Sequence, residues 1–277
     1  MESIAELRKK VTKSSKSHYA PRHDVIVRRI SIYLTWLLLH TPISANGVTL
    51  LQILIGMAGG ALLMSADYAV NFAGILLLQL GYVLDCSDGE VARYRNQSSV
   101  RGVFLDLIGH EVVIPLMYMG LAIGEFQRNG QLEVIILGFA AGLFSLRFDI
   151  SAMFQTVNTL FAKADNPSYS FENLQKQTPS RTTRLATSKP SLIRVLFRYP
   201  ESMNIITVIL VIDSLAKARF APWTLIYLFL LTYGSLIPLA RVVSIYHIFH
   251  SGEIEARYRE IVETVMSWRR SGDSGRD

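Results

Sequence analysis

The sequence predicts an all-α integral membrane protein with six transmembrane helices and an N-terminal amphipathic helix at the membrane interface. Half of the 277 residues are hydrophobic, only 18% are charged and the mean hydropathy is +0.30, which is not typical of a soluble protein. The apolar residues form long, nearly uncharged runs, and a spanning segment needs about 20 of them. Because lipid offers no hydrogen-bond partner to a peptide group, these runs are expected to be helices. The single cysteine, Cys86, excludes a disulfide framework.

Six segments are long and apolar enough to be read as membrane spans. They are Asn46–Met64, Ala69–Leu84, Gly102–Ile123, Leu132–Phe154, Asn204–Leu215 and Trp223–Phe249. The fifth is short and is expected to include neighbouring residues. We therefore predict a transmembrane domain at residues 46–250, with an N-terminal arm at 1–45 before it and a C-terminal helix and tail at 251–277 after it.

The N-terminal arm and one long loop are expected to contact the membrane surface. Between Val25 and Leu39, the charged residues Arg28 and Arg29 alternate with apolar residues, a pattern typical of an amphipathic helix lying in the interface. The loop at residues 163–199 is rich in Ser, Thr, Pro, Lys and Arg. We expect a linker that touches anionic lipid headgroups, and a role in substrate gating is the alternative.

The distribution of lysine and arginine predicts the orientation in the membrane. If both termini are cytoplasmic, most of the 28 basic residues lie in cytoplasmic segments, as the positive-inside rule requires. The net charge of +6 therefore indicates the cytoplasmic side of a membrane and not a nucleic-acid partner. In a bacterium this would be the inner membrane.

Acidic residues and a histidine are grouped where the second and third spans approach the cytoplasm. Asp85 and Asp88 are three residues apart and share a helix face, and Asp106 and His110 are four apart on the next helix. Acidic residues in spans are costly and usually functional. Because the carboxylates would repel one another, we expect a divalent cation such as Mg²⁺ or Mn²⁺ to offset their charge.

This spacing resembles the signature of the CDP-alcohol phosphotransferase family, in which a final Asp follows the third motif Asp by four residues. The matching residues are Asp85, Asp88, Gly89, Ala92, Arg93, Gly102 and Asp106. The last position holds His110 where the family has Asp. The resemblance includes Asn46 and Thr49 at the start of the first span, although Ala45 stands where the family often has Pro.

The resemblance implies transfer of a phosphoalcohol or phosphatidyl group from a CDP-linked donor to an acceptor hydroxyl, with release of CMP. It also implies two divalent metal ions, a cytoplasmic active site and a homodimer. Asp85, Asp88 and Asp106 would be metal ligands. The donor pocket would be formed by Asn46, Thr49, Asp85, Gly89, Ala92, Arg93 and Gly102.

His110 is the position where the sequence departs from the family. A neutral imidazole, with a pKa of about 6.5 in the absence of perturbation, can accept the proton of an acceptor hydroxyl. As a metal ligand it is softer than a carboxylate and would shift preference from Mg²⁺ toward Mn²⁺. A site that binds nucleotide with slow or no turnover, and a purely structural histidine, are the alternatives.

Two arginines lie within predicted spans. Counted along ideal helices, Arg147 in the fourth span and Arg241 in the sixth lie toward the cytoplasmic end, level with the acidic residues. Arginine at that depth requires an anion. The anion would be an acceptor phosphate or donor diphosphate; alternatively, Arg147 forms a salt bridge with Asp149.

These observations favour an enzyme of phospholipid or related polar-lipid biosynthesis, with CDP-diacylglycerol as donor and an alcohol or lipid as acceptor. One alternative is a soluble CDP-alcohol donor with a lipid or polyol-phosphate acceptor. Another is a non-catalytic membrane protein that binds nucleotide or lipid, because the usual Asp is replaced by His110.

Overall fold

A computed structural model of the chain describes residues 3–11, 22–162, 197, 199–216 and 224–262. All regular structure in these ranges is helical. The predicted loop at 163–199, apart from residues 197 and 199, lies outside the described residues. So do residue 223, where the sixth span was predicted to begin, and the tail beyond residue 262.

Within residues 22–162, the helices follow one another with short connections. The helices in the described ranges are α1 (Ile4–Val11), α2 (Arg22–Leu39), α3 (Ala45–Leu62), α4 (Tyr68–Tyr94), α5 (Val100–Asn129), α6 (Glu133–Ser145), α7 (Phe148–Ala162), α8 (Tyr199–Ala216) and α9 (Leu225–Ser251). Residues 253–262 are also helical.

In the described part of the chain, five stretches are long and apolar enough to cross a membrane by length and composition, as expected for an integral membrane protein. They are Ala45–Leu62, Tyr68–Tyr94, Val100–Asn129, Glu133–Leu160 and Leu225–Ser251. The predicted fifth span corresponds to α8, which is not among them and contains the acidic residues Glu201 and Asp213. The all-helical membrane fold is confirmed, and the count of six spans stays a prediction.

The described residues form two compact units along the chain. The first contains the described residues up to Leu146 and those from 197 to Pro238. The second contains those from Arg147 to residue 162 and from Leu239 to residue 262. In the second unit, Val157 and Leu160 of α7 pack against Tyr258 and Val262 of the last helical stretch.

Glycines allow α3, α4 and α5 of the first unit to pack with their backbones in contact. A methyl group added at Gly59 would lie 2.8 Å from the carbonyl oxygen of Gly74 in α4, and one at Gly120 in α5 would overlap the carbonyl oxygen of Gly60. Such small-residue contacts are typical of helices in lipid, where van der Waals packing replaces the hydrophobic effect as a driving force. The three helices that contain the motif residues are therefore held close together.

Helix α2 has the two different faces that the sequence predicts. Ser31 and Thr35 are fully buried against the protein, whereas Ile30, Tyr33 and Leu37 are more than half exposed. An exposed apolar face of this kind suits contact with lipid acyl chains. Its position at the membrane interface stays a prediction.

The packing of α5 on α3 generates a first test. Gly120→Ala is expected to lower the melting temperature in detergent, because the added methyl meets a backbone carbonyl that cannot rotate away; overpacking of this kind costs about 1–3 kcal/mol. Gly81→Ala is the matched control, since its methyl would have ordinary contacts of 3.6–3.8 Å with α3. Equal melting temperatures for the two variants would contradict this account of the packing.

Candidate active site

The first half of the motif lies within α4 and not beyond its end. The second span was predicted to end at Leu84, but α4 continues ten residues further to Tyr94. The polar motif residues end the apolar run but leave the backbone helical, in agreement with the prediction that Asp85 and Asp88 share a helix face. Asp85, Asp88, Gly89 and Arg93 consequently have fixed positions on one rigid helix.

A defined turn ends α4 and connects it to the start of α3. Asn96 has a left-handed backbone (φ 53°), and the Gln97 amide donates to the Ala92 carbonyl over 2.8 Å, as in a Schellman C-cap. The Gln97 side chain accepts a hydrogen bond from the Ala45 amide at 3.2 Å, and Arg95 donates to the Thr41 carbonyl at 2.7 Å. The end of α4 thus holds the segment between α2 and α3.

Three predicted site residues converge from α4 and α5. His110 Nε2 lies 3.4 Å from Asp85 Oδ1 and 3.5 Å from Asp106 Oδ1. One ligand atom from each of the three lies within 4.8 Å of the others. The side chains of Asp85, Asp106 and His110 are 18%, 41% and 21% exposed, so the cluster is sheltered but reachable.

This donor set fits a divalent cation. Two carboxylates facing the same imidazole nitrogen repel each other, and a cation between them would remove that repulsion. Carboxylate oxygens suit Mg²⁺ or Mn²⁺, and an imidazole nitrogen as third donor favours Mn²⁺ over Mg²⁺. The cluster can therefore bind a metal ion through residues from two helices.

Asp88 lies beside this cluster and is held by α3. Its Oδ2 accepts a hydrogen bond of 2.6 Å from the hydroxyl of Thr49, which is 3% exposed. Asp88 is not one of the three residues whose ligand atoms converge within the described chain. Thr49 is thus placed to orient a carboxylate, and the role of Asp88 as a metal ligand stays a prediction.

Asn46, Gly102 and Ala92 lie where α3 meets the two motif helices. A methyl added at Gly102 would be 3.0 Å from Asn46 Oδ1, so the amide faces the start of α5. Ala92 packs against the small apolar cluster that contains Leu38 and Ala45. Close packing explains the small size of Ala92, and its predicted part in a donor pocket stays a prediction.

Arg93 has its side chain folded back along α4. Its guanidinium lies over Gly89, where an added methyl would be 3.1 Å from Nη1. Its Nε donates a 2.6 Å hydrogen bond to the carbonyl of Val11, the last residue of α1. The contact with α1 was not predicted.

In the second unit, the structure pairs Asp149 with Arg241; a salt bridge between Asp149 and Arg147 was one of the two alternatives that the sequence left open. Arg241 Nη1 lies 2.6 Å from Asp149 Oδ1, and the Ser244 hydroxyl donates to Asp149 Oδ2 at 2.8 Å. Phe148 lies under the guanidinium, 5.7 Å from ring centre to Cζ. The assignment of Arg147 and Arg241 to an acceptor phosphate stays a prediction.

The sequence profile described as CDP-alcohol phosphatidyltransferase matches residues 42–168, which include every motif residue from Asn46 to His110. This part of the chain is therefore similar to the CDP-alcohol phosphatidyltransferase family.

Among curated proteins, the chain is similar to the bifunctional IPC transferase and DIPP synthase of Rubrobacter xylanophilus. The two are 38% identical over 91 residues, which is 33% of this chain and 20% of the relative. The chain thus spans about a fifth of that protein's length.

Among solved structures, the chain is similar to the phosphatidylinositol phosphate synthase of Mycobacterium tuberculosis. Its structure with CDP-DAG bound has a TM-score of 0.48 and 19% identity, covering 80% of this chain and 93% of the other. The apo form has a TM-score of 0.46 and 18% identity, covering 79% and 94%.

A buried acid inside the motif was not predicted from the sequence. Glu90 is 5% exposed and accepts hydrogen bonds from Ser31 at 2.9 Å and Thr35 at 2.6 Å, both on α2. Ser31 and Thr35 are four residues apart and share a helix face. Two hydroxyl residues with this spacing on the protein-facing side of an amphipathic helix were the sequence signal from which a buried polar contact could have been predicted.

Gln52 was also missed. It lies one turn beyond Thr49 on α3, is 4% exposed and has an amide oxygen with no hydrogen-bond partner in the described part of the chain. A methyl added at Gly109, next to His110, would be 3.6 Å from this oxygen. An unsatisfied buried polar group lowers stability, so Gln52 is a candidate for contact with a bound ligand.

Gln52 provides a test of this arrangement. Gln52→Leu is expected to raise the melting temperature without ligand, because an unsatisfied buried acceptor costs about 1–3 kcal/mol. Gln79→Leu is the matched control and should lower it, since the Gln79 amide donates to Asn204 at 2.9 Å and to Thr207 at 3.2 Å. Destabilisation of both variants to the same extent would show that Gln52 is a satisfied packing residue.

Proposed function

We propose that this protein is a metal-dependent transferase that moves a substituted phosphate group from a CDP-linked donor to an acceptor hydroxyl and releases CMP. The main support is the convergence of Asp85, Asp106 and His110 within 4.8 Å, inside the region matched by the family profile. The curated relative's name describes a transferase and a synthase, which agrees with group transfer.

The metal ions would be held by Asp85 and Asp106, with Asp88 as a further predicted ligand. His110 is predicted either as another ligand or as the general base, because the lone pair of one nitrogen cannot serve both roles. Divalent ions in this position neutralise the charge of the donor diphosphate and of the departing CMP. We propose two ions, either Mg²⁺ or Mn²⁺. Thr49 would keep the Asp88 carboxylate in place through its 2.6 Å hydrogen bond.

His110 is the proposed general base. As the acceptor oxygen forms its bond to the β-phosphorus, the bond between that phosphorus and the oxygen of CMP breaks. The hydroxyl proton passes to His110 Nε2, the ring atom that faces Asp85 and Asp106. The Asp85 and Asp106 carboxylates, at 3.4 and 3.5 Å from this atom, would stabilise the imidazolium that forms.

The donor nucleotide and phosphates would lie against the motif faces of α4 and α5. Arg93 offers a planar fork of donors suited to phosphate oxygens. Gly89 and Gly102 remove side-chain bulk and allow close approach to the backbone, beside Asn46 and Thr49. Ala92 would complete this pocket.

We propose CDP-diacylglycerol as donor, because a lipid-anchored donor can keep its acyl chains in the bilayer while its headgroup reaches the acidic cluster. A soluble CDP-alcohol with a lipid or polyol-phosphate acceptor is the alternative. Arg147 and Arg241 are the proposed contacts for an acceptor phosphate. A cytoplasmic site, cytoplasmic termini, a homodimer and the domain limits 1–45, 46–250 and 251–277 belong to the same proposal.

Nucleotide and metal should stabilise the folded protein together. A ligand that binds only the folded form raises stability by about 2.7 kcal/mol at 100 times its dissociation constant. We expect CMP with Mn²⁺ or Mg²⁺ to raise the melting temperature of the detergent-purified protein, and neither component alone to give the full shift. Asp88→Asn should reduce the shift, whereas Asp67→Asn, at the N-cap of α4 away from the motif, should retain it. No shift with folded wild-type protein would refute the proposed function.

His110 should control turnover and not donor binding. Removal of a general base typically costs about 10²–10⁴-fold in rate. His110→Ala is therefore expected to abolish most CMP release from the CDP-linked donor, and His110→Asp to restore part of it by supplying the family's carboxylate. His40→Ala is the control, because His40 is exposed and contacts Trp36 outside the site. Full activity of His110→Ala would exclude a role as base.

A further inference from the structure

Helix α1 is a compact helix at the start of the described chain. Ser3 and Glu6 cap it reciprocally: the Ser3 amide donates to Glu6 Oε2 at 2.9 Å and the Glu6 amide donates to Ser3 Oγ at 3.3 Å. This is a capping box. Its eight residues are too few for stability in isolation, so tertiary packing must hold it.

That packing occurs on the helices that surround the motif. Leu7 and Val11 are 2% and 1% exposed and form a cluster with Ile32 of α2, against which Tyr94 of α4 also packs. Lys10 lies 5.8 Å from the centre of the Tyr94 ring. The apolar face of α1 is thus fixed against α2 and the end of α4.

The C-terminal end of α1 contacts Arg93 directly. The Val11 carbonyl accepts the 2.6 Å hydrogen bond from Arg93 Nε. Carbonyls in the last turn of a helix have no intrahelical partner and have a partial negative charge, so they are good acceptors for a guanidinium. The same guanidinium lies over Gly89, next to Asp88.

We infer that α1 is a positioning element of the active site, which holds Arg93 by its Nε and leaves the two terminal nitrogens for the phosphates of the donor nucleotide. This inference rests on the proposed function. A guanidinium has five N–H donors in a rigid fork, so a bond at Nε fixes the plane and leaves four. Arg93 then loses less side-chain freedom when the nucleotide binds.

The test uses the full chain with a charge placed in the buried face of α1. Leu7→Asp should break the packing of α1 without substituting Arg93 or any other motif residue. Ala5→Asp introduces the same residue on the exposed face of the same helix and is the matched control. The dissociation constant for CMP, measured by thermal titration with saturating Mn²⁺, should rise about three- to tenfold in Leu7→Asp, the effect of one side chain that must be ordered on binding. It should be unchanged in Ala5→Asp.

The same Leu7 substitution in a second variant, Arg93→Lys, distinguishes a positioning effect on Arg93 from general destabilisation of the protein. In Arg93→Lys, the planar fork is absent, so Leu7→Asp should have no further effect on CMP affinity; this non-additivity is expected only if the two residues act together. If Leu7→Asp does not fold, the milder Leu7→Ser replaces it in both backgrounds.

Three results would overturn the inference. Wild-type affinity in the Leu7 variant would show that α1 does not position Arg93, and full additivity with Arg93→Lys would show that it acts elsewhere. Tighter binding in the Leu7 variant would show that the Val11 carbonyl competes with phosphate. Absence of CMP binding in the wild type is a different outcome, since it would refute the proposed function itself.

Discussion

The backbone contact between α3, α4 and α5 is the constraint on which the rest of the site depends. Glycines at positions 59, 60 and 120 let these helices approach until carbonyl groups touch the neighbouring helix. In lipid this packing is a main source of association between helices. It also holds Asp85 and Asp106, which repel each other, on facing helices near His110. The packing of the helices therefore offsets the electrostatic repulsion between the two carboxylates. A bound cation would remove part of that repulsion.

Side chains of the motif helix α4 point in three different directions. The aspartates face the cluster with His110, Glu90 faces α2 and Arg93 faces α1. On an ideal helix, Asp85 and Asp88 lie within about 60° of each other, whereas Glu90 points about 140° away from Asp85. Glu90 accordingly meets α2, where Ser31 and Thr35 satisfy its two oxygens. Arg93 reaches α1. A single rigid helix thus fixes the positions of the motif aspartates relative to both N-terminal helices.

Sequence reasoning identified the membrane fold and the residues that converge, because both depend on local patterns: long apolar runs and a fixed motif spacing. It placed the end of the second span at Leu84 because hydropathy falls where the motif begins, although α4 continues to Tyr94. It did not find Glu90 or Gln52, whose roles depend on contacts with residues far away in sequence. Ser31 and Glu90 are 59 positions apart, and no local pattern specifies that they meet. The capping box at Ser3 and Glu6 is visible in the sequence, but its packing partners are not.

The exchange of the final motif carboxylate for His110 alters the charge balance of the site. Three motif aspartates remain, so a neutral imidazole leaves one negative charge fewer than the family pattern has. The attraction for the proposed divalent ions would be weaker by one charge, and the third donor of the converging cluster is softer than a carboxylate. In the proposed reaction, the same exchange would provide an imidazole nitrogen as the base in place of a carboxylate oxygen. Under the proposed function, weaker binding of metal ions, the change of base and a preference for Mn²⁺ over Mg²⁺ would therefore have a single physical origin, the replacement of one carboxylate by an imidazole.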